Sequence, residues 1–68
     1  MRASETDILV SSLVGKTKEE AANLCRANGY FPRVVREDKI GLLTTMDFRF
    51  DRIDLDIEKG LVTRASIG

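Results

Sequence analysis

From Arg52 to Glu58 the chain reads RIDLDIE, and no other stretch restricts the fold so tightly. A strand turns successive side chains to opposite sides, so Ile53, Leu55 and Ile57 share one face while Arg52, Asp54, Asp56 and Glu58 share the other. The pattern predicts a half-buried strand whose apolar face has to be covered. Lys59-Gly60 then predicts a tight turn, and LVTRASIG a short last strand folded back against the first.

The cover is written in TKEEAANLCRANG. Thr17 is a good N-cap, Glu20 three residues on completes a capping box, and Glu19 with Glu20 places negative charge at the positive end of the helix dipole. Ala21, Leu24, Cys25 and Asn28 recur on one face, and Asn28-Gly29 suits the helix end. The spacing predicts one helix from Lys18 to about Ala27. YFPRVVRE predicts a further strand, with Pro32 near its start, where a missing N–H is tolerated at a sheet edge. Val34-Val35 and the Ile53-Leu55-Ile57 face are expected to bury beneath the Leu24 side of that helix.

The remaining segments are less patterned. Residues 1–6 are polar and predict a loose arm, and Ile8 to Val10 with Leu13-Val14 predicts a short strand or extended lead-in that turns at Gly15. Glu37 to Asp47 follows no period and predicts a long connection, of the kind that in a compact domain is functional or disordered. The expected architecture is α+β, a single α-helix packed on a small mixed β-sheet with a long exposed loop between two strands.

Composition narrows the function. At 68 residues the chain is expected to be one domain, burying roughly 60% of its unfolded surface, which leaves little room for a deep cleft. No apolar run is long enough to span a bilayer. Eleven basic residues balance eleven acidic ones and are scattered, which argues against nucleic acid as a partner. Cys25 is the one cysteine and histidine is absent, so an intrachain disulfide is impossible, and the usual parts of a zinc site or a catalytic triad are missing. No cofactor and no metal are expected, and Cys25, at a helical core spacing, reads as a buried, inert thiol. The opening MRASETDILV lacks a signal-peptide pattern, so a cytoplasmic protein, or a secreted one whose leader has been removed, is expected.

One group of motifs is more specific. LVGK followed by TKEEA, then TMDFR with DR leading into the alternating strand, and a terminal IG, resemble the potato inhibitor I family of serine protease inhibitors, with RVVRED, TTMDFRFDRIDLDIE and VTR closest to its small microbial members. The likeness covers roughly Leu13 to Gly68. It implies that the protein is not an enzyme and that the long connection is a reactive-site loop, Leu43, Thr44, Thr45, Met46, Asp47, Phe48 and Arg49, entering a protease cleft with Met46-Asp47 as the scissile bond. Met46 would fill an apolar primary pocket, and Leu43 the apolar site that subtilisin-like enzymes use further along the cleft, so the implied partner is a subtilisin-like or chymotrypsin-like protease. The family supports its loop with arginines rising from the following strand. Arg52 matches the first, able to reach the Thr45 hydroxyl, the Asp47 carboxylate or nearby carbonyls; the second position holds Asp54, which could compete for Arg52 and repel Asp47. The Gly68 carboxylate or the Arg64 side chain could join these supports. Phe48 and Phe50 are expected to wedge the loop base onto the core, Arg49 to be a charge at the loop shoulder, and Asp54, Asp56 and Glu58 to form a solvated row. A monomer is expected. Two alternatives stand beside this reading: a non-inhibitory interaction module on the same fold, and a ligand-binding module resembling penicillin-binding-protein-associated repeats, which share the LVG, EEA and GY opening.

Overall fold

The computed structural model describes residues 5–45 and 47–68. Two helices and four strands follow in the order α1 (Glu5–Leu13), α2 (Lys18–Ala27), β1 (Phe31–Glu37), β2 (Ile40–Gly41), β3 (Arg52–Glu58) and β4 (Leu61–Ile67). The strands form one sheet in the order β2-β1-β3-β4, with β1 and β3 parallel and the two outer pairs antiparallel. The architecture is mixed α+β.

Both strongly patterned elements form where their residues put them. β3 alternates without a fault, with Ile53, Leu55 and Ile57 at most 2% exposed. α2 begins with both halves of its capping box, the Glu20 amide donating to the Thr17 hydroxyl oxygen at 3.2 Å and the Thr17 amide to the Glu20 carboxylate at 3.4 Å. The Thr17 hydroxyl also donates to the Glu20 carboxylate at 2.9 Å, and that bond first, then the one from the Thr17 amide, holds the Glu20 carboxyl below its ordinary range. The helix gives way at Gly29, whose φ of +83° is the left-handed conformation a residue without Cβ adopts cheaply. Ala21 and Cys25 are fully buried, and that burial pushes the Cys25 thiol up.

The expectation of a single helix is corrected: Glu5 to Leu13 is helical, where an arm and an extended lead-in were expected. Residues 1–4 of that arm lie outside the described residues. Two side-chain positions decide the matter. Leu9 and Leu13 lie one turn apart, Val10 stands beside them, and all three pack on the core cluster, Leu13 with no exposed surface. Ile8, whose adjacency to Leu9 and Val10 gave the stretch its strand-like look, points outward at 60% exposure. α1 lies over β4 and α2 over β1, so the sheet face has two covers rather than one. The Thr6 hydroxyl meets the Tyr30 hydroxyl at 3.0 Å, tying α1 to the chain entering β1.

The long connection is also shorter than expected, because β2 takes its first part. Asp38 and Lys39 both have positive φ, 51° and 69°, as a two-residue primed hairpin turn requires, and Ile40 and Gly41 pair back onto Glu37 and Arg36. The β3-β4 turn at Lys59-Gly60, expected from sequence, has the same signs, with φ of 52° and 79°. The Asp38 carboxylate accepts from the Lys59 amide at 2.8 Å and so joins the two turns. Pro32 lies where β2 does not reach, on the part of β1 whose outer edge is open.

In β1 the register slips between Val34 and Arg36. Up to Val34 the strands pair residue for residue, Arg33 beside Asp54 and Val34 beside Leu55; beyond the irregularity Arg36 stands beside Asp56. Basic residues of β1 therefore lie next to acidic residues of β3 on the face opposite the apolar core.

If α1 is part of the core, Leu13→Ala will lower stability by about 2–5 kcal/mol, and Ile8→Ala by no more than about 0.5 kcal/mol, in urea denaturation followed by circular dichroism. Equal effects would mean that α1 is not anchored through Leu13.

Candidate functional site

Between β2 and β3 the chain leaves regular structure from Leu42 through Arg49 and turns back at Phe50-Asp51, Met46 lying outside the described residues. Leu43 is fully exposed at 104%, Phe50 at 84% and Phe48 at 62%. Thr44 is half-buried, while Thr45, Asp47 and Arg49 face solvent. The phenylalanines do not wedge into the core as expected. They stack edge to face on each other, ring centres 5.1 Å apart at 88°, outside it. Arg49 is the shoulder of the loop, forked onto Asp51 at 3.0 and 2.9 Å and lying 5.7 Å from the Phe31 ring centre.

Beneath this loop lies a floor of charged side chains. Arg52, the first residue of β3, is 12% exposed, and its Nη2 donates both to the main-chain oxygen of Asp47 and to that of Gly68, each at 2.7 Å. Its Nη1 lies 3.7 Å from the Asp47 carboxylate. Among the acceptors it was expected to reach, Arg52 takes the carbonyl and approaches the carboxylate; the Thr45 hydroxyl goes to a different arginine.

That arginine is Arg33, which sequence reasoning did not single out. Its Nε and Nη2 fork onto the two oxygens of Asp54 at 2.8 and 3.1 Å, and its Nη1 donates to Thr45 Oγ1 at 3.2 Å. Asp54 raises the Arg33 guanidinium above its ordinary value, chiefly through that hydrogen-bonded fork. The expected competition of Asp54 for Arg52 is thus largely taken up by Arg33. Arg52 Nε faces Asp54 Oδ1 across 3.8 Å, beyond hydrogen-bond reach, and is a buried nitrogen with no hydrogen-bond acceptor among the described residues. Nor is Asp54 part of a solvated row, at 18% exposure. A signal for Arg33 existed in the sequence: RVVR faces an acidic row once the two strands are neighbours. Only the parallel register picks Arg33 rather than Arg36 as the partner of Asp54.

The end of β4 closes the base. The Gly68 amide donates to Arg52 O at 2.9 Å, and its main-chain oxygen accepts from the Arg49 amide at 3.0 Å as well as from the Arg52 side chain. A Cβ at Gly68 would come within 2.5 Å of Asp54 Oδ2, so a side chain there would dislodge the carboxylate that holds Arg33. Arg64 stands beside Asp56 in register and, among the described residues, makes no bond to the loop.

Asp47 closes the circuit electrostatically. A hydrogen bond from the Thr45 hydroxyl, then one from its own main-chain N–H, hold its carboxyl below the usual range, with Arg52 and Arg33 adding through their charges. Thr45 Oγ1 thus accepts from Arg33 Nη1, while its hydroxyl is the chief influence lowering the Asp47 carboxyl. The links run from Asp54 to Arg33, Thr45, Asp47 and Arg52, and back towards Asp54, with cation and anion alternating across the hydroxyl.

Among the described residues no group of three or more His, Cys, Asp or Glu is placed to hold a metal ion. No helix among them is long and apolar enough to cross a membrane. No family model matches the chain, and no curated protein matches it either.

Because the folded Asp47 value lies below the unfolded one of about 3.9, whatever its ionised form contributes to loop order is present above that pH and is lost as pH falls through the folded value. Thr45→Val will move the Asp47 midpoint back up towards the ordinary value in a carboxyl carbon NMR titration. An unchanged midpoint would remove Thr45 as the principal cause.

Proposed function

We propose that the protein is a substrate-like inhibitor of serine proteases, with the loop from Leu43 to Arg49 as its binding segment and Met46-Asp47 as the bond offered for cleavage. One observation carries the reading: an exposed loop bearing a fully exposed Leu43 is tied from beneath by a nearly buried arginine, Arg52, through the main chain of Asp47, the residue after Met46. A solvent-facing loop with no partner has no use for so costly an anchor, since an arginine taken out of water has to recover its lost hydration through well-placed acceptors.

Pre-ordering is what such an inhibitor needs. A loop already fixed in the bound shape loses little conformational entropy on docking, so contact energy appears as affinity. Met46 enters the protease's primary pocket as an unbranched apolar side chain, which suits subtilisin-like and chymotrypsin-like enzymes and not those selecting Lys or Arg. Leu43 meets an apolar site three residues upstream. After cleavage, Arg52 still holds the Asp47 carbonyl, and Gly68 the Arg49 amide, so the new amine stays beside the acyl-enzyme and religation competes with hydrolysis. The chain performs no chemistry of its own in this scheme. The resemblance to potato inhibitor I belongs with this reading, and the pairing of Asp54 with Arg33 weakens one of the two grounds for the non-inhibitory module, a disruptive Asp54, the other being the lack of a signal-peptide pattern.

With subtilisin and chymotrypsin at nanomolar concentration, the protein is expected to inhibit at or below micromolar concentration and to show slow, single cleavage at Met46-Asp47 by mass spectrometry. Absence of inhibition, or rapid cutting at several loop bonds, would refute the proposal. Arg52→Ala is expected to weaken inhibition roughly ten- to a hundredfold, the range set by charged hydrogen bonds of about 1.5–3 kcal/mol, and Met46→Lys to move preference to trypsin. A Met46→Lys protein that leaves trypsin untouched would take the specificity role from Met46.

A further inference from the structure

We infer that Arg33 is a second positioning residue of the loop, delivered from the neighbouring parallel strand, and that Asp54 serves as its anchor. The inference rests on the inhibitory reading for its meaning but on geometry for its content. Thr45 and Asp47 flank Met46, and each is held by a different arginine: Thr45 through its hydroxyl by Arg33 Nη1, Asp47 through its main-chain oxygen by Arg52 Nη2. The two arginines stand on adjacent strands, and the residue they share is Asp54, hydrogen-bonded by the first and 3.8 Å from the second.

The planar guanidinium makes the double role possible. Asp54 takes the Nε and Nη2 edge side-on in a two-point fork that fixes the plane of the group, which leaves Nη1 on the opposite edge with one direction to point. That direction meets Thr45, twelve residues on in the chain. With 20% of the Arg33 side chain and 18% of Asp54 exposed, water competes weakly for the fork. An aspartate at position 54, which by charge alone would loosen the loop by drawing Arg52 away, instead recruits a second cation to it. The arrangement depends on the register that sets Arg33 beside Asp54, and on Gly68, whose missing side chain leaves room for the carboxylate.

A purely structural ion pair between β1 and β3 would strengthen the sheet and do nothing particular to the loop, and the two roles separate experimentally. Arg33→Ala and Asp54→Asn are each expected to weaken subtilisin inhibition roughly tenfold or more. Thr45→Val, which leaves the Arg33-Asp54 fork untouched, is expected to reproduce part of that loss. The Arg33→Ala, Thr45→Val double variant should lose less than the product of the two single losses, because both cut the Arg33-Thr45 link. In the free protein, hydrogen exchange at the amides of Thr45, Asp47 and Phe48 should quicken several-fold in Arg33→Ala, with those of Leu55 and Val62 unchanged. The inference is overturned if loop exchange in Arg33→Ala stays within about twofold of the unsubstituted protein, if core amides quicken as much as the loop, or if the two single losses simply multiply. A protein that inhibits no protease would refute the proposed function while the exchange measurement still decides the role of Arg33.

Discussion

A guanidinium almost out of contact with water has to find its hydrogen bonds inside the protein, and at Arg52 that requirement organises everything above the sheet. Two of its bonds go to main-chain oxygens, Asp47 on the loop and Gly68 just after β4, so one side chain sets the distance between the loop and the last strand. Main-chain acceptors fix backbone positions where carboxylate partners would fix only side chains. Among the described residues its Nε finds no acceptor, and the neighbouring carboxylate that could have satisfied it is turned to Arg33. Leaving a buried donor unpaired costs about 1–3 kcal/mol. Its tolerance here fits a site where loop geometry, rather than satisfaction of each group, has set the arrangement.

The supports also tie distant parts of the chain together. Asp38 in the first hairpin turn accepts from Lys59 in the second, while at the other end of the sheet Gly68 joins Arg49 to Arg52. The parallel pair β1-β3 thus has a polar clasp at each end and an apolar core between, where Ile53, Leu55, Ile57 and Val62 meet Leu13, Ala21 and Cys25. Helix α1 matters to this even though it is remote from the loop. By covering β4, it fixes the strand that leads into Gly68.

What could be read from the sequence followed how local each signal is. The capping box of α2, the alternation of β3 and the Lys59-Gly60 turn depend on residues within one or two turns of each other, and each formed as expected. α1 was misread because Ile8, Leu9 and Val10 are contiguous and β-branched at two positions, features that suit a strand; the burial of Leu13 beneath a sheet formed later in the chain overrode them. β2 was missed because two residues carry no period and its turn, Asp38-Lys39, lacks the glycine that usually marks positive φ. At the candidate site, Arg52 and Gly68 were legible as residues near the base of the loop, where their hydrogen bonds now lie, and the loop between the strands was legible as irregular. Arg33 was not, because its partner is fixed by a parallel register with a slip in it, which no spacing within either strand encodes.

The loop and the core are held by different physics, and this separation bears on what the loop is for. Leu43, Phe48 and Phe50 leave large apolar surfaces in water and add nothing to the buried cluster; the aromatic pair rests on itself and Arg49 on Phe31 and Asp51. In a chain this short, where each fully buried Leu or Ile is worth about 1.5–3 kcal/mol, three large side chains turned outward are a substantial sacrifice of stability. They are carried on a segment whose order comes from hydrogen bonds to guanidinium groups and not from burial. A loop shaped that way can be altered at its tip without disturbing the core, and it would keep its shape if its apolar side chains left water for the surface of the partner proposed above. Those are the two properties a recognition segment requires, and they follow from the placement of Arg33, Arg52, Asp54 and Gly68 beneath it.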